Sequence, residues 1–311
     1  MLRVALRANA RRSFGFLMPS KRLGLWALLV VTMVWGTTFP AMKLLSAQLD
    51  ALQIIWLRFA IASLVLAPLW RGMHRPERAW GGLLGVLLFI AFWLQIEGLA
   101  RTSSNRNAFV TGLNVLVVPL LAMLVLRRRY GWHLWAACAM ACAGMALMFR
   151  ADGPWNFGDT LTLVSTLFYA LYILALEECA RRTAAQPLRA TRLAAVQAGV
   201  MCVAATVLLL ARGSGLGWLA SLERLDAEHW CALLYLGLVA SVVVVILQAW
   251  GQQRVDAVRS AIVYGLEPVF AALAAWVLLG ERLGWSGSAG AVLIVGALVL
   301  SQLPSRASRH P

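Results

Sequence analysis

The chain has 311 residues, of which 61% are hydrophobic and only 13% are charged. Water-soluble globular proteins carry a clearly larger share of charged residues, so this composition excludes that class and predicts an integral membrane protein. The formal net charge of +15 would fit nucleic-acid binding, but the placement of the basic residues explains it differently. The five cysteines are an odd number and lie mostly in apolar segments, so the sequence predicts neither a disulfide framework nor a metal site.

The first 22 residues (1–22) carry six basic residues and no acidic one, and they are predicted to be a basic cytoplasmic tail. Ten apolar runs follow, each long enough to cross roughly 30 Å of hydrocarbon at about 1.5 Å per residue. Connections are short, so neighbouring spans run antiparallel, and residues 304–311 form a second predicted cytoplasmic tail. The predicted spans are Leu23–Leu45, Ala51–Trp70, Trp80–Ala100, Asn107–Leu126, Trp132–Phe149, Asp159–Cys179, Leu193–Ala211, Trp230–Trp250, Ser260–Leu279 and Trp285–Leu303.

Basic residues are distributed unequally between the two sides of this predicted bundle. With the N-terminus inside, the cytoplasmic segments hold 20 of the 28 Lys and Arg residues, and the opposite side holds six. The positive-inside rule therefore predicts a multi-pass protein of the cell inner (plasma) membrane with both termini in the cytoplasm. This asymmetry accounts for the basic composition without nucleic acid as a partner.

The chain contains an internal repeat. Residues Arg101–Trp132 match residues Arg254–Trp285 at a constant offset of 153 positions, with 12 identities in 32 positions. The same offset aligns Gln95 with Gln248 and Gly98 with Gly251, so chance similarity between two apolar helices is a poor explanation. Each copy holds five spans, and this odd number gives the second copy the opposite orientation. The predicted fold is therefore an all-α membrane protein of two inverted five-helix units, residues 23–150 and 158–303.

Each copy of the repeat carries a polar stripe with the spacing i, i+4, i+7. In an apolar helix such a stripe turns towards protein or water and away from lipid. We interpret the two stripes as two walls of one pathway. The alternative is that they form interhelical hydrogen bonds, each contributing about 1 kcal/mol or less. The stripes consist of Asn107, Thr111 and Asn114 in the first copy and of Ser260, Tyr264 and Glu267 in the second.

Other residues within the spans extend this candidate substrate site. Gln95 and Gln248 occupy matching positions, and a buried amide can donate to and accept from a zwitterionic substrate. Arg58 is a candidate ligand for a substrate carboxylate, with a brace between helices as the alternative. Aromatic residues can supply the walls, although ordinary helix packing explains each of them taken alone. The aromatic candidates are Trp35, Tyr169, Tyr172 and Tyr264.

Charged residues inside spans cost on the order of 3 kcal/mol each at a helix centre unless they are paired or hydrated. Lys43 is expected to extend towards the membrane surface, and Glu97 can reach Arg101 at i+4, although Glu97 is also a candidate for ion coupling. Glu267 precedes Pro268, which frees a backbone carbonyl one turn back and predicts a hinge beside an acid. Burial favours the neutral carboxyl, so Glu267 is a candidate either to bind a substrate ammonium or to exchange a proton. Its alternative role is to cap the helix break.

The motifs, taken in their order along the chain, resemble the EamA-type family of the drug/metabolite transporter superfamily, which has ten helices in two EamA units. The resemblance covers most of the chain and implies a membrane carrier, often an exporter, of amino acids or other small metabolites. The motifs are Trp35-Gly36-Thr37-Thr38-Phe39-Pro40, Leu57-Arg58-Phe59, Phe109-Val110-Thr111-Gly112-Leu113, Leu266-Glu267-Pro268-Val269-Phe270 and Gly280-Glu281-Arg282.

The sequence thus predicts a secondary transporter that exports amino acids or related small metabolites by alternating access. The expected partners are a small-molecule substrate and the lipid bilayer, no cofactor is expected, and the oligomeric state is left open. No G-x-x-x-x-G-K-[ST] signature is present that would bind ATP. The alternative is a membrane-embedded enzyme or a scaffold acting on lipid-linked substrates. An enzyme would need a cluster of catalytic side chains, and the four histidines are scattered along the chain.

Overall fold

The computed structural model describes residues 2–102, 104–148, 154–213, 217–279 and 284–301. Every regular element within these ranges is helical, and they contain no strand. Three predictions concern residues that lie outside them: the Gly280-Glu281-Arg282 motif, the cytoplasmic tail at 304–311 and the last residues of the tenth span.

The described residues form thirteen α-helices. Short 3-10 helices cover Ala67–Trp70 and Gly217–Arg224, and a π-helical stretch covers Tyr235–Val243. The α-helices are α1 (Leu2–Leu45), α2 (Ala51–Leu66), α3 (Arg75–Arg101), α4 (Ser104–Gly112), α5 (Asn114–Leu126), α6 (Trp132–Met148), α7 (Phe157–Arg182), α8 (Ala190–Ala211), α9 (Ala227–Leu234), α10 (Val244–Gln252), α11 (Ala257–Tyr264), α12 (Glu267–Leu279) and α13 (Trp285–Ser301).

Seven helical segments of the described chain are long and apolar enough to cross a membrane. Trp132–Leu147 and Trp285–Ser301, at the fifth and tenth predicted spans, are apolar but shorter. The ninth predicted span, Ser260–Leu279, is divided between α11 and α12. The structure thus supports an all-helical membrane architecture, while the count of ten spans stays a prediction. The seven segments are Lys21–Leu45, Ala51–Trp70, Arg75–Arg101, Arg106–Leu126, Phe157–Arg182, Ala190–Ala211 and Ala227–Gln252.

The segment predicted to be a basic cytoplasmic tail is helical. Helix α1 begins at Leu2 and continues without a break to Leu45, so residue 22 is not a helix boundary. Its 44 residues correspond to about 66 Å at 1.5 Å per residue, roughly twice the thickness of the hydrocarbon core. One helix therefore runs through the basic segment and the first predicted span.

Matching glycines of the repeat make matching contacts in the core. A Cβ on Gly98 would lie 2.7 Å from the carbonyl oxygen of Gly158, so α3 packs directly on the backbone of α7. A Cβ on Gly251 would lie 2.7 Å from Leu28 and 3.2 Å from the carbonyl oxygen of Gly24, so α10 packs in the same way on α1. Small residues permit such close approach of membrane helices. In both cases the third span of one copy packs against the first span of the other.

The repeated segment is broken at the same point in both copies. Helix α4 ends at Gly112 and α5 begins at Asn114, while α11 ends at Tyr264 and α12 begins at Glu267. Asn114 and Glu267 occupy matching positions at the offset of 153. Pro268 explains the second break, because its ring has no N–H to donate to the carbonyl of Tyr264. No proline follows the first break at that distance, and nothing in its sequence predicted it.

A proline inside α5 is compensated by a cysteine of α6. Pro119 cannot donate a hydrogen bond and leaves the carbonyl of Val115 free. The Cys138 thiol donates to this carbonyl at 3.2 Å, and both residues are fully buried. The contact satisfies an otherwise unpaired acceptor and holds α6 against α5.

Candidate functional site

A cavity lies between α1, α2, α3, α7 and α10 and the two broken helices, α4–α5 and α11–α12. It has about 590 Å³ of space not filled by atoms, its opening included. Nine of the twelve predicted substrate-binding residues line it: Trp35, Arg58, Gln95, Thr111, Asn114, Tyr169, Gln248, Tyr264 and Glu267. The remaining lining residues were not predicted, because apolar and small side chains are common in every span; they are Thr38, Phe39, Met42, Phe92, Gly112 and Ile173.

Arg58 is the positive charge of the cavity. It lies on α2 and is only 1% exposed. Its Nε donates to Ser241 Oγ at 3.2 Å, and its Nη1 lies 3.4 Å from the sulfur of Met42. The guanidinium carbon is 4.9 Å from the ring centre of Phe92 and 5.6 Å from that of Phe59. Within the described residues no carboxylate forms an ion pair with Arg58.

Glu267 is the acidic side chain of the cavity. It is the first residue of α12 and is 6% exposed. Gly36 brings α1 against this turn, since a Cβ there would lie 2.9 Å from the carbonyl oxygen of Glu267 and 2.8 Å from the amide nitrogen of Ala271. As with Arg58, no ion pair of Glu267 is found in the part of the chain that the structure covers. The cavity therefore holds one buried basic and one buried acidic side chain.

Gln95 is held at both ends of its amide. The Tyr169 hydroxyl donates to Gln95 Oε1 at 2.8 Å, and Gln95 Nε2 donates to Thr111 Oγ1 at 3.1 Å. Because the donor and the acceptor are both engaged, the amide is fixed in one orientation. Gln95 thereby links α3 to α7 and to α4 at the wall of the cavity.

Gln248, at the matching position of the second copy, has different partners. The hydroxyl of Tyr172 lies 3.4 Å from Gln248 Oε1 and 2.9 Å from Gln197 Oε1. Beside it, the ring of Tyr264 lies 5.0 Å from that of Trp35, with the two planes tilted by 55°. Trp35 and Tyr264 thus form one aromatic corner of the cavity, between α1 and α11.

Three predicted site residues lie outside the cavity. Asn107 donates to the carbonyl of Gln95 at 3.1 Å and to Thr162 Oγ1 at 2.8 Å, so it braces α4 against α3 and α7. Ser260 donates at 2.9 Å to the carbonyl one turn earlier in its own chain. Tyr172 is fully buried and contacts the cavity wall through Gln248. Asn107 thus bonds between helices, Ser260 bonds within its own helix, and Tyr172 packs behind the cavity wall.

The other charged residues predicted inside spans also lie outside the cavity. Glu97 pairs with Arg101 at 2.5 Å, one turn along α3. The ammonium of Lys43 donates to the carbonyls of Leu99 and Thr102 at 2.9 and 3.1 Å. These carbonyls end α3, and a cation at a helix C-terminus is favourable.

Two ion pairs at opposite ends of α7, one buried and one partly buried, were not predicted. Near its start, Asp159 is 1% exposed, pairs with Arg106 of α4 and accepts from Thr102 Oγ1 at 2.9 Å. Near its end, Glu177 pairs with Arg128, which follows α5, at 2.7 Å. The broken helix α4–α5 is thus tied to α7 at both ends. No sequence spacing links these partners, since they come together only through the packing of separate helices.

The two halves of the chain each match one family model. The EamA-like transporter family model matches residues 22–150 and again residues 156–303. The chain belongs to the EamA-like transporter family. The resemblance inferred from the motifs is therefore confirmed, and the protein is a multi-pass membrane transporter.

Relatives of this EamA-like protein carry general names. An uncharacterized transporter of Archaeoglobus fulgidus is 25% identical over 276 residues, covering 89% of this chain and 84% of that one. The uncharacterized transporter YcxC of Bacillus subtilis is 23% identical over 293 residues, covering 89% and 92%. A solved crystal structure has the same fold, with a TM-score of 0.67 at 18% identity over 94% of this chain and 99% of that one.

Proposed function

We propose that this EamA-like protein is a secondary transporter that exports amino acids or related small zwitterionic metabolites across the cell inner membrane. The observation that carries the proposal is the pair Arg58 and Glu267, one basic and one acidic side chain buried in one cavity, neither with an ion-pair partner in the described chain. An uncompensated buried charge is costly. A zwitterionic substrate supplies a carboxylate for Arg58 and an ammonium for Glu267, so binding relieves both costs.

The walls of the cavity favour a substrate with an apolar side chain. Besides the aromatic corner of Trp35 and Tyr264, the lining includes Phe39, Met42 and Phe92. Apolar and aromatic walls with a few placed polar groups are typical of small-molecule sites. A side chain that adds a third charge would meet no further counter-charge there, and we expect it to be discriminated against.

Alternating access of two inverted five-helix units, residues 23–150 and 158–303, is the mechanism that fits this architecture. Its support is the matching pair of helix breaks before Asn114 and Glu267, both of which line the cavity. Discontinuous helices in corresponding positions of two repeats commonly mark a transporter's binding site. Movement of α4–α5 relative to α7 would break Asp159–Arg106 at one end while Glu177–Arg128 holds the other.

Flux into proteoliposomes tests the proposed function. The panel comprises leucine, phenylalanine, glutamate and lysine, together with a leucine analogue that lacks the carboxylate and one that lacks the ammonium group. We expect saturable flux of leucine or phenylalanine, and strong loss for both truncated analogues. Inside-out vesicles, loaded from the cytoplasmic face, test the direction of export. Absence of flux for every amino acid in both orientations would refute the proposal.

The variant Glu267→Gln separates substrate binding from ion coupling, because it keeps the shape of the side chain and removes its charge. If Glu267 binds the ammonium, the variant loses both pH-driven flux and substrate exchange. If Glu267 exchanges a proton, the variant loses pH-driven flux and retains exchange. Glu97→Gln is the matched control, since Glu97 pairs with Arg101 outside the cavity. Wild-type behaviour of the Glu267→Gln protein would assign that residue to the helix break alone.

A further inference from the structure

Ser241 occupies an unusual place in the eighth predicted span. The segment Tyr235–Val243 is π-helical, with Ser241 near its end and only 1% exposed. The Ser241 hydroxyl donates at 2.7 Å to the carbonyl of Leu236, five residues earlier. Its proton is therefore committed, and the oxygen presents a lone pair to a donor from another helix. π-Helical turns are rare and occur frequently at functional sites.

The donor that uses this lone pair is Nε of Arg58, at 3.2 Å. The central carbon of the guanidinium lies over the rings of Phe59 and Phe92, at 5.6 and 4.9 Å from their centres. Met42 sulfur, 3.4 Å from Nη1, is only a weak acceptor. A guanidinium can offer a carboxylate two donor edges, one that includes Nε and one formed by the two terminal nitrogens. Ser241 engages the first of these.

We propose that Ser241 is a positioning residue that holds Arg58 so that the terminal nitrogen pair, Nη1 and Nη2, receives the substrate carboxylate in a two-bond fork. This inference rests on the proposed function and adds the group that orients the site. With Nε engaged by Ser241, the terminal edge is the part of the guanidinium left for the substrate carboxylate. A fork of two parallel hydrogen bonds requires two coplanar oxygen acceptors.

The arrangement makes the carboxylate the obligatory group of the substrate. An amide analogue offers one oxygen and one N–H₂, and the N–H₂ meets a donor of Arg58, leaving a buried charge unpaired. Sites built for hydrogen bonding reject analogues that leave their groups unpaired by large factors. We expect leucinamide and phenylalaninamide to be transported with a KM at least roughly 100-fold above that of leucine and phenylalanine.

The π-helical turn is itself held in place by α1. The Tyr235 hydroxyl, at the first residue of the turn, contacts Thr37 Oγ1 and lies 3.2 Å from the carbonyl of Val34. Thr37 belongs to the same stretch of α1 as Trp35, which lines the cavity. The position of Ser241, and through it that of Arg58, is thus set by contacts among α1, α2 and the π-helical turn.

Ser241→Ala tests the inference in proteoliposomes with leucine, phenylalanine and their amides as probes. We expect KM for the two amino acids to rise roughly tenfold, as for loss of a hydrogen bond to a charged group, with kcat little changed. The ratio of amide to amino-acid KM should fall, because a loosely held guanidinium discriminates less. Ser241→Thr keeps the hydroxyl and should restore both values. Ser63→Ala is the control, since the Ser63 hydroxyl lies on α2, the helix of Arg58, and has no hydrogen-bond partner among the described residues.

Each outcome separates this inference from the proposed function. A wild-type protein that transports neither leucine nor phenylalanine would remove the proposed function and the inference with it. A wild-type protein that does transport them, with a Ser241→Ala variant of unchanged KM and amide ratio, would overturn only the role of Ser241. If the alanine variant does not fold, Ser241→Cys keeps the size and replaces the oxygen with a weak acceptor, and the same loss is expected.

Discussion

Replacing Arg58 with methionine should stabilise the empty protein while abolishing amino-acid binding. The guanidinium is 1% exposed, and in the described chain no carboxylate balances its charge. Methionine has a similar length, is apolar and adapts to irregular space. The two effects are opposite in sign because the buried charge of Arg58 binds the substrate carboxylate but destabilises the protein when the site is empty.

The magnitude follows from the contacts of Arg58. Losing the bond to Ser241 costs about 2 kcal/mol, the range for hydrogen bonds to charged groups. Losing the contacts with Phe59 and Phe92 costs roughly 1 kcal/mol each. Removing a buried charge returns several kcal/mol, here taken as about 5. The net gain is about 1 kcal/mol, which corresponds to a rise of roughly 1–2 °C in Tm for a chain of this size.

Thermal unfolding in detergent, followed by tryptophan fluorescence, measures this change in the absence of amino acids. Arg71→Met is the matched control, because it removes the same charge from an exposed position and should change stability by no more than about 0.5 kcal/mol. A second set of scans with leucine should raise the Tm of the wild type and leave that of Arg58→Met unchanged. An Arg58→Met protein with a Tm well below those of the wild type and of Arg71→Met would refute the reasoning and identify Arg58 as a brace between helices.

The remaining predictions concern packing and topology. Cys138→Ala should lower stability by about 1–2 kcal/mol, because it leaves the buried carbonyl of Val115 unpaired. Cys138→Ser should retain the hydrogen bond, so equal Tm values for the two variants would contradict this prediction. Gly36→Val should lower the free energy of unfolding by about 1–3 kcal/mol, because the larger side chain forces α1 away from α12. Gly82→Val is the control, since Gly82 faces open space, and similar Tm values for the two variants would argue against the close contact. A reporter inserted near Arg128 should lie in the cytoplasm and one within residues 149–153 outside; the same side for both would exclude the ten-span topology.

Membership of the membrane class and most of the cavity were predictable from the sequence, because the bilayer acts on each span separately. A span must be long and apolar, and a polar side chain within it must turn inward, whatever the other helices do. This local requirement singled out Arg58 and Glu267, and the polar stripes led to Thr111, Asn114 and Tyr264. The internal repeat was equally visible, since it is a property of the residues alone.

Tertiary structure alone decided which polar residues reach the cavity and what holds them there. Asn107 and Ser260 share a helical face with residues that line it, but the crossing of neighbouring helices leaves them outside. The break before Asn114 has no proline signal. Ser241 resembles any serine of an apolar span until the π-helical turn places its oxygen beside Arg58. A sequence records the spacing of residues along one helix, whereas these contacts depend on the angles and depths at which separate helices cross.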